Sequence, residues 1–400
     1  MPQTPTIYLD NASTSFPKAP GVADAVADAI GSIGVSPGRG LSGAHSRAAE
    51  IVETLRLQLA RLLGSTEPER VLLASSATEA INTAILGVMV PPGRTGPRPR
   101  VVASALEHNA AARPLARLRL RGLIELDIVP PDPEGVIDAQ RFIERIDERT
   151  TMAVLTCASN AFGTLQPVAE VGRAIRERGL PTLLLADAAQ SAGLLPIEVE
   201  ASCIDLCAFG SHKALRGPPG VGVLYAGPRA FDSGADHDVQ PLQPLIAGGT
   251  GGVGGDDELP PRLPERFEPG TRNLPAMAGL LQALRALSPG AIGQERAMIA
   301  RARERLKTVP GLRLYSPQDP ARSVGVLSMT LDGWNPSDLA GVLDASFGIV
   351  VRAGLHCAPW AHAAMGTAEQ GGALRISPGP ETTPEEIDAC CRAIAEIARS

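Results

Sequence analysis

Lys213, in the string Ser211-His212-Lys213, follows the short apolar run Leu206-Cys207-Ala208-Phe209. Far downstream, the segment Arg352-Ala353-Gly354-Leu355-His356-Cys357 offers a thiol. One residue supplies an amine and the other a sulfur nucleophile. Upstream of the lysine, Leu183-Leu184-Leu185-Ala186-Asp187 reads as a buried parallel strand ending in a carboxylate, with Ala188-Ala189-Gln190-Ser191 on the turn that follows. An amine that condenses with an aldehyde, and an aspartate that keeps a pyridinium nitrogen protonated, are the two protein groups that pyridoxal phosphate (PLP) chemistry needs most. Taken singly, a His-Lys pair in a Gly/Pro-rich loop also reads as solvated surface, and a strand-end aspartate as a helix cap. Their order and context favour the chemistry.

The elements that must position these groups follow from the hydrophobic pattern. Residues 21–31 and 46–63 have helical periodicity. Short apolar runs at 71–74, 100–103, 152–156, 182–186, 206–209 and 222–225 then alternate with helical patterns, which predicts a wound α/β sheet. In such sheets ligands sit beyond the carboxyl ends of the strands, where Thr78, His108, Asn160, Asp187 and Lys213 all fall. Thr78 opens a helical run, so its N–H, its hydroxyl and the helix dipole can meet a phosphate; a helix N-cap is the other natural role for it. A helix over about 275–306, strands near 324–331 and around Arg375, and a terminal helix from Pro384 predict a smaller α+β domain. The expected division is a large domain over 20–273 and a small one over 274–400, joined by residues 1–19. The Gly-rich stretch 248–262 reads either as a linker or as a functional loop.

Nearly the whole chain resembles the class V aminotransferase superfamily, and within it the cysteine desulfurases of the SUF-like group. The resemblance rests on Tyr8 to Lys18, Ser76-Ala77-Thr78-Glu79-Ala80-Ile81-Asn82, Glu107-His108-Asn109, Ser159 to Thr164, Asp187 to Gln190, Ser211-His212-Lys213, Phe267 to Asn273, Arg352 to Pro359 and Leu374-Arg375-Ile376-Ser377, in that order. It implies a PLP-dependent transferase of fold type I. Lys213 would carry the cofactor, Asp187 would pair with the ring nitrogen, and His108 would lie against the ring and shuttle a proton. Asn160 and Gln190 would reach the phenolic oxygen, while Thr78, Ser211, His212 and a partner subunit's copy of Thr271 would serve the phosphate, making the active sites of a homodimer shared. Arg375, assisted by Arg352 and Asn11, would take the substrate carboxylate, for which a planar guanidinium is suited. Cys357 would accept sulfur from L-cysteine as a persulfide, leaving L-alanine, and pass it to a protein acceptor, with iron–sulfur cluster assembly as one destination.

Two positions depart from the family pattern. Gly210 stands where a Ser or Thr usually precedes the lysine by three, and Ser42 stands where many relatives have a His two residues after Arg39-Gly40, with His45 nearby. Selenocysteine lyase, cysteine-sulfinate desulfinase or another PLP-dependent C–S lyase would use the same site. A non-catalytic sulfur-relay subunit would have lost Lys213, Asp187 or Arg375, and all are present.

Composition bounds the rest. The 37 basic and 43 acidic side chains leave a net charge of −6, and no basic run is interleaved with aromatics, so nucleic acid is excluded as an expected partner. Met1 to Thr6 has no charged and then apolar leader, and no apolar stretch reaches about 18 residues, so a cytoplasmic, membrane-free protein is expected. Six cysteines, unevenly spaced, suggest neither a disulfide framework nor a metal site.

Overall fold

The computed structural model describes residues 6–37, 42–90, 97–232, 241–250, 259–288 and 290–399. The chain opens with strand β1 (Ile7–Tyr8), then helices α1 (Val22–Asp28) and α2 (Gly43–Leu62). α1 runs on into a wider turn over Ala29–Ile33, and α2 starts earlier than its periodicity suggests because Ser42 caps it, its Oγ accepting from the His45 N–H. Ser42 Oγ also meets His45 Nδ1 at 2.7 Å, so the two residues at that departure from the family pattern bind each other. Arg39-Gly40 lies outside the described residues, as do 251–258 of the Gly-rich stretch.

The main sheet is built from β2 (Val71–Ala74), β3 (Arg100–Ser104), β4 (Glu125–Val129), β5 (Thr150–Thr156), β6 (Leu183–Asp187), β7 (Leu206–Gly210) and β8 (Gly222–Ala226), in the order β2-β8-β7-β6-β5-β3-β4. Only β8 runs antiparallel to its neighbours among the described strands. β5, β6 and β7 are buried along their whole length, as continuous apolar runs covered on both faces must be. One face packs on α3 (Ala77–Met89) and α4 (Asn109–Leu120) through Ile81, Ile85, Leu115 and Leu118. The other packs on α2 and α6 (Val168–Glu177), with the short α5 (Ala139–Glu144) at its margin. β4 escaped the sequence reading because Glu125-Leu126-Asp127-Ile128-Val129 is an edge strand with alternating polarity and no apolar run.

The single helix expected over 275–306 is two, α7 (Leu274–Arg285) and α8 (Ala291–Leu306). The sequence between them, Ser288-Pro289-Gly290, removes a helix donor and supplies a left-handed glycine, φ 94°, at the start of α8. α7 packs with α1 and α2. α8 instead joins the apolar cluster of a second sheet, made of β9 (Leu312–Leu314), β10 (Leu327–Leu331), β12 (Arg352–Gly354) and β13 (Ala373–Ile376), all antiparallel. Helix α9 (Pro336–Phe347), strand β11 (Ile349–Val350), the short α10 (Pro359–Ala364) and α11 (Pro384–Ile397) complete this half. Cys390 and Cys391 are buried in its core as small hydrophobes.

The N-terminal segment ties the halves together. β1 pairs in parallel with β11, and beyond Asp10 the chain crosses to the lysine loop, where the Ser15 N–H donates to the His212 carbonyl at 2.9 Å and the Ala19 N–H to that of Arg216 at 3.0 Å. Among the described residues no helix is long and apolar enough to cross a membrane.

Candidate active site

The strand ends deliver the expected residues to one edge of the main sheet. Thr78 follows β2, His108 follows β3, Asn160 follows β5, Asp187 closes β6 and Lys213 follows β7. The N-cap of α3 is Ser76, whose Oγ accepts from the Glu79 N–H at 3.1 Å, and not Thr78. Thr78, two residues further on, is exposed with its hydroxyl uncommitted. The N–H groups of Ala77 and Thr78 also have no partner among the described residues, which is the arrangement a phosphate dianion completes. Gly222 makes this possible from behind: a Cβ there would stand 2.2 Å from the Ser76 carbonyl, so only glycine lets β8 approach the start of α3.

The floor of the site is a buried carboxylate and an imidazole. Asp187 is 3% exposed and accepts the Ala189 N–H at 2.9 Å through Oδ1. His108 caps α4, its Nδ1 accepting from the Ala110 N–H at 3.0 Å, so its proton sits on Nε2. Burial, joined by the nearby Lys213 charge, lowers the His108 pKa and keeps the ring neutral. Beneath them lies Glu107, fully buried, whose Oε1 accepts from Ser104 Oγ at 2.5 Å and the Thr156 N–H at 2.8 Å while Oε2 has no partner. Burial pushes this carboxyl up to about 8.

Lys213 has no side-chain hydrogen bond or ion pair among the described residues. Burial lowers its pKa, opposed by the charge of Asp187; Arg375, Cys357 and Arg352 also lie close enough for their charges to act on it. His212 Nδ1 meets Thr14 Oγ1 at 3.1 Å, and burial drops its pKa to about 4. The His212 carbonyl accepts from Thr14 Oγ1, Ser15 Oγ and Lys18 Nζ as well as from the Ser15 main chain. Ser211 is placed differently from its expected role: its hydroxyl donates to the Pro218 carbonyl and holds the lysine loop. Gly210 has no side chain to substitute for it.

The second half of the molecule brings the remaining groups. Arg375, 2% exposed, donates through Nη1 to the Asn160 carbonyl at 2.7 Å and through Nη2 to Asp10 Oδ1 and Ser13 Oγ, each at 2.8 Å, while buried Nε has no partner. Arg352 Nη1 reaches the same Ser13 hydroxyl at 3.2 Å. Asn11 donates to the Ser377 carbonyl and accepts from the Phe16 N–H, a bracing position at the rim. Asn160 donates one amide N–H to the His356 carbonyl at 2.5 Å, and Gln190 donates one to the Ala12 carbonyl at 2.9 Å, leaving each a second N–H for the site.

Cys357 is exposed, and its carbonyl accepts from the Asn109 N–H at 2.7 Å, next to His108. His356 and Cys357 are consecutive left-handed residues, φ 48° and 55°. Non-glycine residues hold that conformation at a cost of ~1–2 kcal/mol each, so it persists only where surrounding bonds enforce it. With Thr78, His108 and Arg113, Cys357 lines a cavity of about 780 Å³. An anion-ready helix start, a strand-end aspartate, a neutral imidazole and an unpaired lysine fit PLP.

A family model described as aminotransferase class-V matches residues 7–390. The chain belongs to that family. Class-V aminotransferase-fold enzymes are PLP-dependent. A probable cysteine desulfurase of Methanothermobacter thermautotrophicus is 32% identical, aligned over 98% of this chain and 94% of that protein. A cysteine desulfurase of Escherichia coli is 29% identical over 99% of this chain and 94% of its own. Among solved structures, the apo cysteine desulfurase of Thermococcus onnurineus superposes with a TM-score of 0.85 at 27% identity, covering 98% of this chain and 95% of that one. An S-sulfonic acid form of an E. coli cysteine desulfurase gives 0.84 at 26%, covering 98% and 94%.

Several residues that brace the cleft of this class-V protein escaped the sequence reading. Asp10 and Ser13 orient Arg375 from 365 and 362 residues away, which no local pattern reveals. Lys18, its pKa lowered to about 8 by burial and the Arg216 charge, braces the His212 carbonyl. Thr271 is exposed. Its segment is anchored by Glu268, which takes a two-pronged ion pair from Arg56 at 2.8 and 2.9 Å, a bond from the Leu73 N–H at 2.8 Å and Arg272 at 3.0 Å.

Proposed function

We propose that the protein is a cysteine desulfurase, converting L-cysteine to L-alanine with the sulfur moved to Cys357 as a persulfide. The observation that carries this reading is the hydrogen-bonded path from Arg375 to the thiol loop, Arg375 Nη1 donating to the Asn160 carbonyl and Asn160 Nδ2 to that of His356, the residue before Cys357, at the edge of the sheet where Asp187 closes β6 and Lys213 follows β7. The names borne by the similar proteins support it.

Lys213, Asp187, His108, Asn160, Gln190, His212 and the start of α3 at Thr78 would hold the cofactor. Bound PLP supplies the electron sink that makes the amino acid's α-hydrogen acidic. Arg375 receives the substrate carboxylate through the N–H groups its protein partners leave free, with Arg352 and Asn11 at the rim. Lys213 Nζ, biased toward the neutral amine by burial, takes the proton from Cα. The Cys357 thiolate then attacks the substrate sulfur. A sulfur–sulfur bond forms, the Cβ–S bond breaks, and the electron pair left on carbon takes a proton to become alanine's methyl group. L-cysteine and a thiol thus give L-alanine and a persulfide, with sulfur oxidised and Cβ reduced. His108, whose Nδ1 is taken by the helix cap and whose proton sits on Nε2, would relay a proton.

The test is to incubate the PLP-loaded protein with L-cysteine and a reductant and to quantify alanine and sulfide together. Equal yields, lost in Cys357→Ala, are expected. Undiminished alanine production by Cys357→Ala would falsify the persulfide role, and pyruvate with sulfide would make the protein a C–S lyase. L-selenocysteine and cysteine sulfinate, run in the same background, separate the remaining substrates.

We further infer a cytoplasmic homodimer that shares its active sites through Thr271 and hands sulfur to a protein acceptor for iron–sulfur cluster assembly. The exposed Thr271, its anchored segment, and the exposed Leu245 and Ile246 support the dimer. Sedimentation of the PLP-loaded protein checks it.

A further inference from the structure

Behind the sulfur-accepting cysteine lies a row of buried polar side chains that the reaction above does not use. His356 Nδ1 meets His362 Nε2 at 3.1 Å, and His362 Nδ1 meets Thr367 Oγ1 at 2.7 Å. His362 and Thr367 are fully buried and His356 nearly so. The His362 ring is wedged against His356 on one side and Phe162 on the other, each 5.1 Å between ring centroids. The far end of the row is fixed to the main chain, because the His362 carbonyl accepts the N–H groups of Thr367 and Ala368 at 2.9 and 3.1 Å.

We propose that His362 and Thr367 are positioning residues for sulfur transfer, holding His356 through this row so that the Cys357 loop keeps its two consecutive left-handed residues and presents its thiol to the substrate. This rests on the reading of Cys357 as the sulfur acceptor.

The loop needs such a support. His356 and Cys357 both have positive φ without being glycine, and among the described residues their carbonyls are held by Asn160 Nδ2 and the Asn109 N–H. Those bonds locate the backbone; the buried ring of His356 is oriented by its hydrogen bond to His362, and the Thr367 hydroxyl orients the ring of His362 in turn. The row is built for orientation and not for storing charge. Burial and the neighbouring Arg375 drop the pKa of His356 to about 2 and of His362 to about 4, so both rings are neutral at working pH. Two neutral imidazoles and a hydroxyl bond in series, with His356 Nε2 left unpartnered among the described residues, and place no cation beside Arg375 and Arg352.

The test compares His362→Phe, which keeps a ring and loses both hydrogen bonds, with His362→Gln, which keeps an amide donor and acceptor, and with Thr367→Val. In the PLP-loaded protein, His362→Phe should lower kcat for alanine formation roughly tenfold or more while KM for L-cysteine stays within about twofold, since Arg375 is untouched. His362→Gln should restore kcat to within about threefold, and Thr367→Val should fall between. The rate at which iodoacetamide alkylates Cys357 should change in the same order. A His362→Phe protein turning over within about twofold of the parent, while Cys357→Ala is inactive, overturns the positioning role alone. Full alanine production by Cys357→Ala overturns the assignment of the sulfur acceptor, and the positioning role with it. Should His362→Phe fail to fold, Thr367→Val decides, because its shape is conserved: unchanged kcat and alkylation rate overturn the role.

Discussion

Replacing Glu107 by glutamine should reveal a neutral carboxylic acid beneath the cofactor site. The ordinary value for this carboxyl is 4.5, and burial lifts it to about 8, with the Asp187 charge adding and the bonds from Ser104 and Thr156 opposing. Between those two values the folded protein holds a proton that the unfolded chain has released. A group of this kind contributes its full stability below the unfolded pKa and loses it as pH rises through the folded one, at about 1.4 kcal/mol per pH unit. At pH 7.5 the accumulated cost is roughly 4 kcal/mol, a ceiling that relaxation of the site reduces. Glutamine cannot ionise. Its carbonyl oxygen can keep the bonds that Oε1 accepts, and its amide takes the place of the unpartnered Oε2 at a cost of about 1–3 kcal/mol that does not vary with pH.

The stability of Glu107→Gln relative to the parent should therefore rise with pH by up to about 1.4 kcal/mol per unit from about pH 5 to about pH 8. Guanidinium unfolding of both proteins at matched pH values measures it. Glu295 is also buried and lifted to about 8, but it titrates in both proteins and cancels in the difference. A protonated-carboxyl carbonyl band in the infrared spectrum at neutral pH, missing in the variant, gives a second view. A difference that stays flat across the range means that Glu107 is ionised in the folded protein. A neutral Glu107 also spares Asp187 a second anion nearby, so Glu107→Gln should keep desulfuration within about threefold of the parent.

Three further outcomes are expected. Arg375→Lys replaces a planar fork with a point charge and should raise KM for L-cysteine by roughly tenfold or more, read from alanine formation, with the cofactor absorbance of the loaded protein unchanged. Glu268→Ala leaves Arg56 buried without its two-pronged partner and should destabilise the fold by about 3–5 kcal/mol in guanidinium unfolding, whereas Glu265→Ala, at a more exposed position, should cost under about 1 kcal/mol. His356 and His362 have depressed values, so their contribution to stability is present above the ordinary histidine pKa and is lost as pH falls below about 6.5; His362→Gln should make acid unfolding less steep in that range by up to one proton.

What the sequence revealed and what it concealed divide along a physical line. Strands buried on both faces leave long apolar runs, so the ends of β5, β6 and β7, and with them Asn160, Asp187 and Lys213, could be placed before any coordinates. An edge strand such as β4 spends half its residues on solvent and leaves no such run. The partners of Arg375 belong to the opposite end of the chain, and their register is set by the pairing of β1 with β11 and the bridge from Asp10 to Ser377. His362 looks like any residue of a short helix until the turn before it folds back and brings His356 against it. Ser211 shows the reverse limit, since the family resemblance implied a phosphate contact although the residue stands one position later than the family's hydroxyl, while in the structure its hydroxyl donates to the Pro218 carbonyl.

The cleft is closed by a ring of hydrogen bonds that runs through both halves of the molecule. From the lysine loop, the His212 carbonyl holds Ser15; the N-terminal segment leads back to Asp10, which holds Arg375. Arg375 holds the Asn160 carbonyl, Asn160 holds the His356 carbonyl, and the next residue, Cys357, is held by Asn109 beside His108. Every group assigned to proton or sulfur movement is a member of this ring or adjoins one. The separation between the amine and the thiol is therefore set by the packing of two cores and not by the length of a flexible loop. Such a fixed gap suits a reaction in which one sulfur atom must pass from a small substrate to a cysteine, because a thiol held about 1 Å out of place costs as much rate as a missing catalytic group. It also accounts for the use of neutral, buried side chains behind Cys357: with Arg375 already in the ring and Arg352 beside it on Ser13, rigidity had to come from groups that add no charge.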